Sequence, residues 1–559
     1  MATAQSGLTT QPGSPAQLGF NAGAYLLDRR IGLGDADRVA LHGPDGTVSY
    51  GELDALTRRT TAGLRALGLH TDDRVVLVMS DGVEMVAAIL GAFRAGLVAV
   101  PVSTMLGGAE LASIVIDCGA RALVATAEFA AAVQQAVDAA PELEHLVLVG
   151  GEVSVPPHVR GLSWPELLEN GVGADDGVAA TSDDSWALWL YTSGTTGTPK
   201  GAMHRHANIR HVCETYGAHT LGITRDDVCF SVAKLFFAYG IGNTLFFPLA
   251  VGASAVLEPR RPSPTVVVER MAVQRPTLFF APPTFYAALV AAELPATTFA
   301  SVRLATSAGE SLPVVLQRRV SSAYGFPIID GIGATEALHV FLSNHPDDIR
   351  PGTTGKAVPG YDVELRDPDG HPVRPGEPGD LYVRGESLAV GYWRRTDATR
   401  AVFQGEWMRT GDTYSQDADG YYVCLGRSND LLKAGGIWVS PAEVEGCLLE
   451  HDGVSEVAVV GVADAAGLEK PVACVVRSVA GVSVTAEELV AWCREGLASF
   501  KRPRAVVFVD ELPKTATGKV QRFKVRERFA GMALESVSVN RASEQNQPSG
   551  VPASAQLTR

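Results

Sequence analysis

Two hydrophobic textures alternate along residues 20–400. Short unbroken apolar runs are followed by longer stretches in which apolar residues recur every three or four positions. Residues 74–79 (RVVLVM) form one such run and predict a buried strand. Ser80 and Asp81 then offer a helix N-cap. Val83, Val86, Ile89, Leu90 and Phe93 follow at helical spacing, and Gly96 closes the helix. A second strand begins at 97–102. This is a strand–helix–strand unit, and such units build parallel sheets covered by helices. Similar runs recur at 123–125, 146–149, 186–191, 253–257, 277–281, 303–306 and 327–330.

Near residue 360 the texture changes to short strands separated by turn sequences (DPDG, RPGEPGD, DADGYY), which predicts a small β-rich module. After Gly426 it changes again. Residues 444–449 and 486–495 read as helices, and 455–462 and 505–509 read as strands. The expected class is α/β: a large domain of helix-covered, mostly parallel sheets at 20–428, then a small mobile α+β domain at 429–535. Residues 1–19 are expected to be a flexible leader, and the Ser/Gln/Asn/Pro-rich stretch 536–559 a disordered tail.

Composition bounds the function. The 559 residues are 46% hydrophobic and carry a net charge of −15, so no basic footprint points to nucleic acid or an anionic membrane. An anionic substrate would need a local cluster of donors. No run is long and apolar enough to span a membrane, and the N-terminus lacks the pattern of a secretory signal. Seven scattered cysteines form no CxxC pair, which argues against a disulfide framework or a zinc site and suggests a cytoplasmic setting.

The sharpest local signal is residues 191–201, YTSGTTGTPKG. A strand feeds a loop of Thr192, Ser193, Gly194, Thr195, Thr196 and Gly197 that closes on Lys200. Glycines let backbone N–H groups approach phosphate oxygens, hydroxyls add donors, and the lysine adds a charge. The spacing is not that of the GxxxxGK[ST] loop. A generic loop of this composition would be a solvated surface segment, but here many specific positions agree.

This string resembles the phosphate loop of the adenylate-forming superfamily, which includes acyl- and aryl-CoA ligases. Further motifs occur in the family's order: GATE at 333–336, WMRTGD at 407–412, GRSND at 426–430 and PKTATGK at 513–519. GATE or RTGD alone could be an ordinary turn; together and in order they carry the resemblance. It implies that ATP, Mg²⁺ and coenzyme A take part. Thr335 and Glu336 would place Mg²⁺ on the phosphates, and Lys519 would bridge the substrate carboxylate and the α-phosphate. Asp412 and Arg427 would hold the ribose. Gly309, Glu310, Asp330 and Gly331 would line the nucleotide site, with Ile332 packing on adenine where many relatives carry an aromatic residue. Asn429 stands at the hinge position often occupied by aspartate.

Residues 234–243 (KLFFAYGIGN) and 330–344 (DGIGATEALHVFLSN) resemble benzoate–CoA ligases in particular, as do 350–367 and 514–527. The resemblance implies a flat acyl slot made by Phe237, Ala238, Tyr239, Gly331, Ile332, His339 and Val340, with His339 as a wall rather than an acid or base. On spacing alone FFAYG reads as a core strand or helix with aromatic filler, and it is the resemblance that turns the reading toward an acyl slot. For the thiol step the resemblance implies Lys433, Gly435, Gly436 and Trp438 along the pantetheine path. Lys501 and Arg502 are candidates for CoA phosphates, or else a solvated turn.

The expected reaction activates a small aromatic acid as its acyl-adenylate and transfers it to CoA. The alternative acceptor is a carrier protein's phosphopantetheine arm. A luciferase-like oxygenase and a silent AMP sensor are the remaining readings. No nucleic-acid or membrane partner is expected, and self-association as a homodimer is left open.

Overall fold

In the computed structural model the described residues are 19–151, 155–193, 199–427, 432–434, 437–463, 469–478, 483–499, 501–514 and 520–529. The chain forms two compact units, one of residues 1–312, 316–364 and 382–410, the other of 313–315, 365–381 and 411–559. Residues 1–18 of the expected leader at 1–19, and the whole of the expected tail at 536–559, lie outside the described residues.

The expected α/β architecture is present, with strands close to the apolar runs that predicted them. In the first unit a seven-stranded sheet runs in the order Arg160–Ser163, His145–Val149, Ala122–Thr126, Arg74–Val78, Val98–Pro101, Trp186–Ser193, Pro199–Arg205. All neighbours are parallel except the last pair, which is an antiparallel hairpin. The second sheet has nine strands. Its centre is parallel, through Ile328–Gly333, Leu304–Ser307, Leu278–Ala281, Val228–Ser231 and Ser254–Val256. Ile328–Gly333 also pairs antiparallel with Val340–Ser343. Helices bury the sheet faces, which is why the central strands read as unbroken apolar runs rather than alternating ones.

The helix Val83–Ala95 ends as expected on Gly96, which adopts the left-handed conformation (φ 77°). Its start corrects the expectation. Gly82 is the N-cap, and Ser80 and Asp81 do not cap it. Asp81 is instead buried and accepts the backbone N–H of Leu235 at 3.2 Å. The long-range acceptor role displaces the local one because Leu235 N–H, also buried, has to be satisfied.

In the second unit an antiparallel pair, Val454–Ala463 with Glu469–Arg477, is extended in parallel by Ala505–Phe508. Val457, Val459, Ala473 and Val475 face one core with the helices Pro441–Leu449 and Ala486–Gly496. Ala458, Val460, Val472 and Cys474 face another with Val525 and Phe529. Because successive side chains point to opposite faces, a sheet covered on both sides needs the continuous apolar run that the sequence shows. Among the described residues no helix is long and apolar enough to cross a membrane.

Candidate functional site

The phosphate-loop segment is held by its stalks. Trp186–Ser193 and Pro199–Arg205 pair with Thr192 opposite Lys200 and Tyr191 opposite Gly201. Gly194, Thr195, Thr196 and Gly197, with the side chain of Ser193, lie outside the described residues. The Tyr191 hydroxyl donates to Asp117 Oδ2 at 2.7 Å. Asp117 also accepts from Arg395 Nη2 at 2.7 Å and, through its backbone oxygen, from Trp393 Nε1 at 2.9 Å. Gly201 is needed for close approach, since a Cβ there would stand 3.0 Å from the Tyr191 ring.

The strand Ile328–Gly333 delivers Asp330, Gly331 and Ile332 and leads directly into the turn Thr335–Ala337. Buried His204 meets the Thr335 carbonyl through Nε2 at 2.8 Å. Glu336 is half-buried and accepts the Tyr392 hydroxyl on Oε1 at 2.5 Å. Lys200 Nζ stands 5.6 Å from the centre of the Tyr392 ring. Leu338 follows with φ 65°, a strained conformation for a branched side chain. That turn reverses the chain so that His339 and Val340 lie back along Gly333 and Gly331. A Cβ on Gly333 would meet the His339 carbonyl oxygen at 2.5 Å, so this reversal needs a glycine.

The candidate acyl residues come together. Phe237 caps the short helix Ala238–Ile241, which continues as a π-helical turn, Gly242–Phe246. Such turns are rare and concentrate at functional sites. Tyr239 stacks on His339 with ring centres 5.5 Å apart. Phe247 and Tyr216 contact the same imidazole at 4.6 and 5.3 Å. The Tyr239 hydroxyl is bound to Thr306 Oγ1 at 2.5 Å, so its polar end is anchored away from the ring face. FFAYG is thus a turn and helix start, in which Phe236 and Gly240 are buried and Phe237, Ala238 and Tyr239 part-buried.

Burial sets the local ionisation. The His339 imidazole is pushed down to about 3, and that of His204 to about 4. Both are neutral at physiological pH, and so low a pKa makes the His339 imidazole a very weak base. Asp330 is buried with Oδ1 unpartnered, and burial drives its carboxyl well above the usual carboxylate range. Asn243 is fully buried beside this cluster with no hydrogen bond of good geometry on its amide. Gly309 follows the strand Leu304–Ser307 with φ 93°, and Glu310 is half-buried next to it.

These histidines predict how the fold responds to acid. With buried His206, pushed down to about 3, they make three groups whose folded pKa lies below the ordinary ~6.5. Below that value the unfolded chain binds more protons, so their contribution is complete above pH ~6.5 and is lost as pH falls toward about 4. Asp81, pushed up to about 6, and Asp72 and Asp330, also raised by burial, act with the opposite sign, but His42, His145 and His211 are lowered by burial as well, so six histidines stand against three carboxyls. The urea midpoint is expected to hold above pH 7 and to fall on acidification. His206→Gln should flatten that fall; a midpoint that rises between pH 6.5 and 4.5 contradicts the assignment.

In the second unit Asp412 and Arg427 are cross-strand partners, with Arg427 Nε 3.2 Å from Asp412 Oδ1. The two candidate ribose ligands are therefore preassembled on one hairpin. Lys433 pairs with Trp438 through the backbone of a second hairpin. Lys501 binds the Glu443 carboxylate at 2.6 and 2.7 Å. Arg502 donates to the carbonyls of Leu497 and Arg494, closing the end of the helix Ala486–Gly496. Both cations thus have structural partners. Asn429, Gly435, Gly436 and Lys519 lie outside the described residues.

Tyr392, Asp117 and His204 were not found by reading the sequence. Tyr392 lies 56 residues from Glu336 and carries no charge or motif of its own. The segment around it adds onto the edge of the Pro199–Arg205 strand, with Ala202 bridged to Tyr392.

As to magnesium, among the described residues no group of three His, Cys, Asp or Glu side chains could hold an ion. One half-buried carboxylate, Glu336, beside the Thr335 hydroxyl suits a hard cation that arrives on phosphate oxygens and keeps its own waters. The residues present fit nucleotide-borne Mg²⁺.

The family model described as AMP-binding enzyme matches residues 29–393, and the AMP-binding enzyme C-terminal domain matches 443–519. A benzoate–CoA ligase of Thauera aromatica is 42% identical over 513 residues, 91% of this chain and 96% of that one. A 4-hydroxybenzoate–CoA/benzoate–CoA ligase of Rhodopseudomonas palustris is 39% identical over 92% of this chain and 95% of its own. Among solved structures, a benzoate CoA ligase from Burkholderia xenovorans LB400 is 44% identical with a TM-score of 0.82, covering 91% of this chain and all of that one. An anthranilate CoA ligase in complex with anthranoyl-AMP is 37% identical with a TM-score of 0.83, covering 93% and 98%.

Proposed function

The chain belongs to the AMP-binding enzyme family, and from that premise we propose how its residues divide the work of an AMP-forming acid–thiol ligase. The enzyme activates an aromatic carboxylic acid with ATP and forms its CoA thioester. The observation that carries this reading is similarity to benzoate–CoA ligases along nearly the whole of both chains. Transfer to a carrier protein is the less favoured acceptor.

A carboxylate is a poor acyl donor because oxide would have to leave. Its attack on the α-phosphate, which breaks the bond to the β-phosphate and expels pyrophosphate, makes that oxygen part of AMP, a good leaving group, but brings two anions together. The 192–200 segment, ending in Lys200, cradles the β- and γ-phosphates. Thr335 and Glu336 hold Mg²⁺, which when bound supplies charge neutralisation at the phosphates. Gly309, Glu310, Asp330, Gly331 and Ile332 surround the nucleotide base, and the Asp412–Arg427 pair takes the ribose. Lys519 supplies the cation for adenylation. Asn429 is the hinge about which the C-terminal domain changes pose between steps.

The aromatic ring occupies the slot of Phe237, Ala238, Tyr239, Gly331, Ile332, His339 and Val340, and we assign benzoate or a small substituted benzoate as the acid. In the second step Lys433, Gly435, Gly436 and Trp438 flank the pantetheine arm, with Lys501 and Arg502 reserved for CoA phosphates once their present partners release them. Benzoate-dependent exchange of labelled pyrophosphate into ATP tests the first step, and benzoyl-CoA formation on addition of CoA tests the second. Both should appear. Exchange without thioester formation, restored by a phosphopantetheinylated carrier protein, would replace the CoA assignment.

A further inference from the structure

Glu336 and Lys200 carry opposite charges and face the same tyrosine, yet among the described residues no ion pair joins them. Tyr392 stands between them. Its hydroxyl donates to Glu336 Oε1 at 2.5 Å, and its ring lies 5.6 Å from Lys200 Nζ. At this range a cation over a ring face is attracted by the ring quadrupole.

The placement of Tyr392 is well determined. Val390 donates its N–H to the Met203 carbonyl at 2.9 Å, Met203 returns one to Gly391 at 3.0 Å, and Trp393 donates to Gly201 at 2.9 Å. Residues 390–393 therefore run along the strand Pro199–Arg205, which carries the phosphate-loop lysine. The Tyr392 N–H is taken by Thr399 Oγ1 at 2.9 Å. Its ring packs on Phe403 with centres 5.6 Å apart, and the side chain is 7% exposed.

We propose that Tyr392 is a positioning residue of the nucleotide site, which fixes the Glu336 carboxylate with its hydroxyl and holds the Lys200 ammonium with its ring. The two charges are thereby kept apart and ready for Mg²⁺ and phosphate, instead of closing on each other when no nucleotide is bound. A collapsed pair would have to be broken at each turnover, and both groups would lose the preorganisation on which electrostatic catalysis depends. Glu336 Oε2 is left for the cation while Oε1 is engaged.

The inference rests on the reading of Glu336 and Lys200 as nucleotide-site residues, and the test separates the two. ATP binding to the full-length enzyme is measured by calorimetry across a Mg²⁺ titration, with the KM for benzoate measured alongside. Tyr392→Phe keeps the ring and removes the hydroxyl. It should raise the Mg²⁺ concentration for half-maximal ATP binding about 5- to 10-fold while leaving ATP affinity at saturating Mg²⁺ nearly unchanged. Tyr392→Leu should also weaken that saturating affinity about 10-fold. In both, the KM for benzoate should change less than about 2-fold. Glu336→Gln is the reference. If it leaves the Mg²⁺ dependence of ATP binding unaltered, the reading of Glu336 fails and the inference falls with it. If Glu336→Gln shifts that dependence and Tyr392→Phe does not, the positioning role alone is overturned. A rise in the KM for benzoate parallel to the loss of ATP affinity would mark Tyr392 as a packing residue and overturn it too.

Discussion

A Lys519→Ala enzyme is expected to lose acyl-adenylate formation by about 10²- to 10³-fold, the scale of removing one well-placed electrostatic donor. It should still convert supplied benzoyl-adenylate and CoA to thioester at close to the parental rate. The reason lies in the charges of the two steps. In the first, a carboxylate approaches a polyphosphate, and the repulsion has to be neutralised where the new bond forms. In the second, the acyl group already carries AMP, and a thiol that ionises readily displaces it, so a cation at the α-phosphate contributes little. The assignment rests on PKTATGK at 513–519, within the matched C-terminal family domain. Pyrophosphate exchange reads the first half-reaction, and thioester formation from synthetic adenylate reads the second. Loss of both to a similar degree would mean that Lys519 organises the domain rather than the adenylation step.

Much of this site was legible in the sequence because its parts are local. The phosphate-loop string, GATE and the FFAYG segment each put chemistry and backbone geometry within about ten residues, and the first two are delivered by strands whose apolar runs gave them away, whereas the strand Val228–Ser231 before FFAYG was not among the predicted runs. Gly96 and the valine run at 457–460 are similar cases, in which burial on both faces or a left-handed terminus leaves a local mark. What escaped is what depends on long-range pairing. Asp81 reads locally as a cap, yet it serves Leu235, 154 residues away. Tyr392 acquires its role only because residues 390–393 add to a strand edge. Lys501 and Arg502 look like free cations until Glu443 and the end of a helix are folded against them. The chain also crosses between its two compact units at 313–315 and near residues 365, 382 and 411, and of these only the crossing near 365 lies at a change of texture that the sequence shows.

Benzoate should be preferred over octanoate by about 10³-fold in kcat/KM, roughly 4 kcal/mol. His339 supports this through its surroundings. Tyr239 stacks on the imidazole, while Phe247 and Tyr216 close on it from other directions. A neutral, buried ring wedged among three aromatics cannot swing aside to open a tunnel for an alkyl chain, whereas a flat ring can slide against its face. Gly242 tests the point. A Cβ there would lie 2.3 Å from His339 Cδ2, and Tyr216, Tyr239 and Phe247 already pack against the imidazole. Gly242→Ala is therefore expected to push His339 toward the slot, cutting benzoate kcat/KM about 10²-fold with the KM for ATP little changed. Tyr239→Ala, which removes a wall instead of adding bulk, should also weaken benzoate turnover but narrow its advantage over larger acids. A misfit acid suffers twice, by clash and by carrying its carboxylate out of line with the α-phosphate, so selectivity should appear in kcat as well as in KM. Rates with a panel of aromatic and aliphatic acids decide the matter. Faster turnover of octanoate than of benzoate by the parental enzyme would remove the aromatic slot while leaving the ligase chemistry intact.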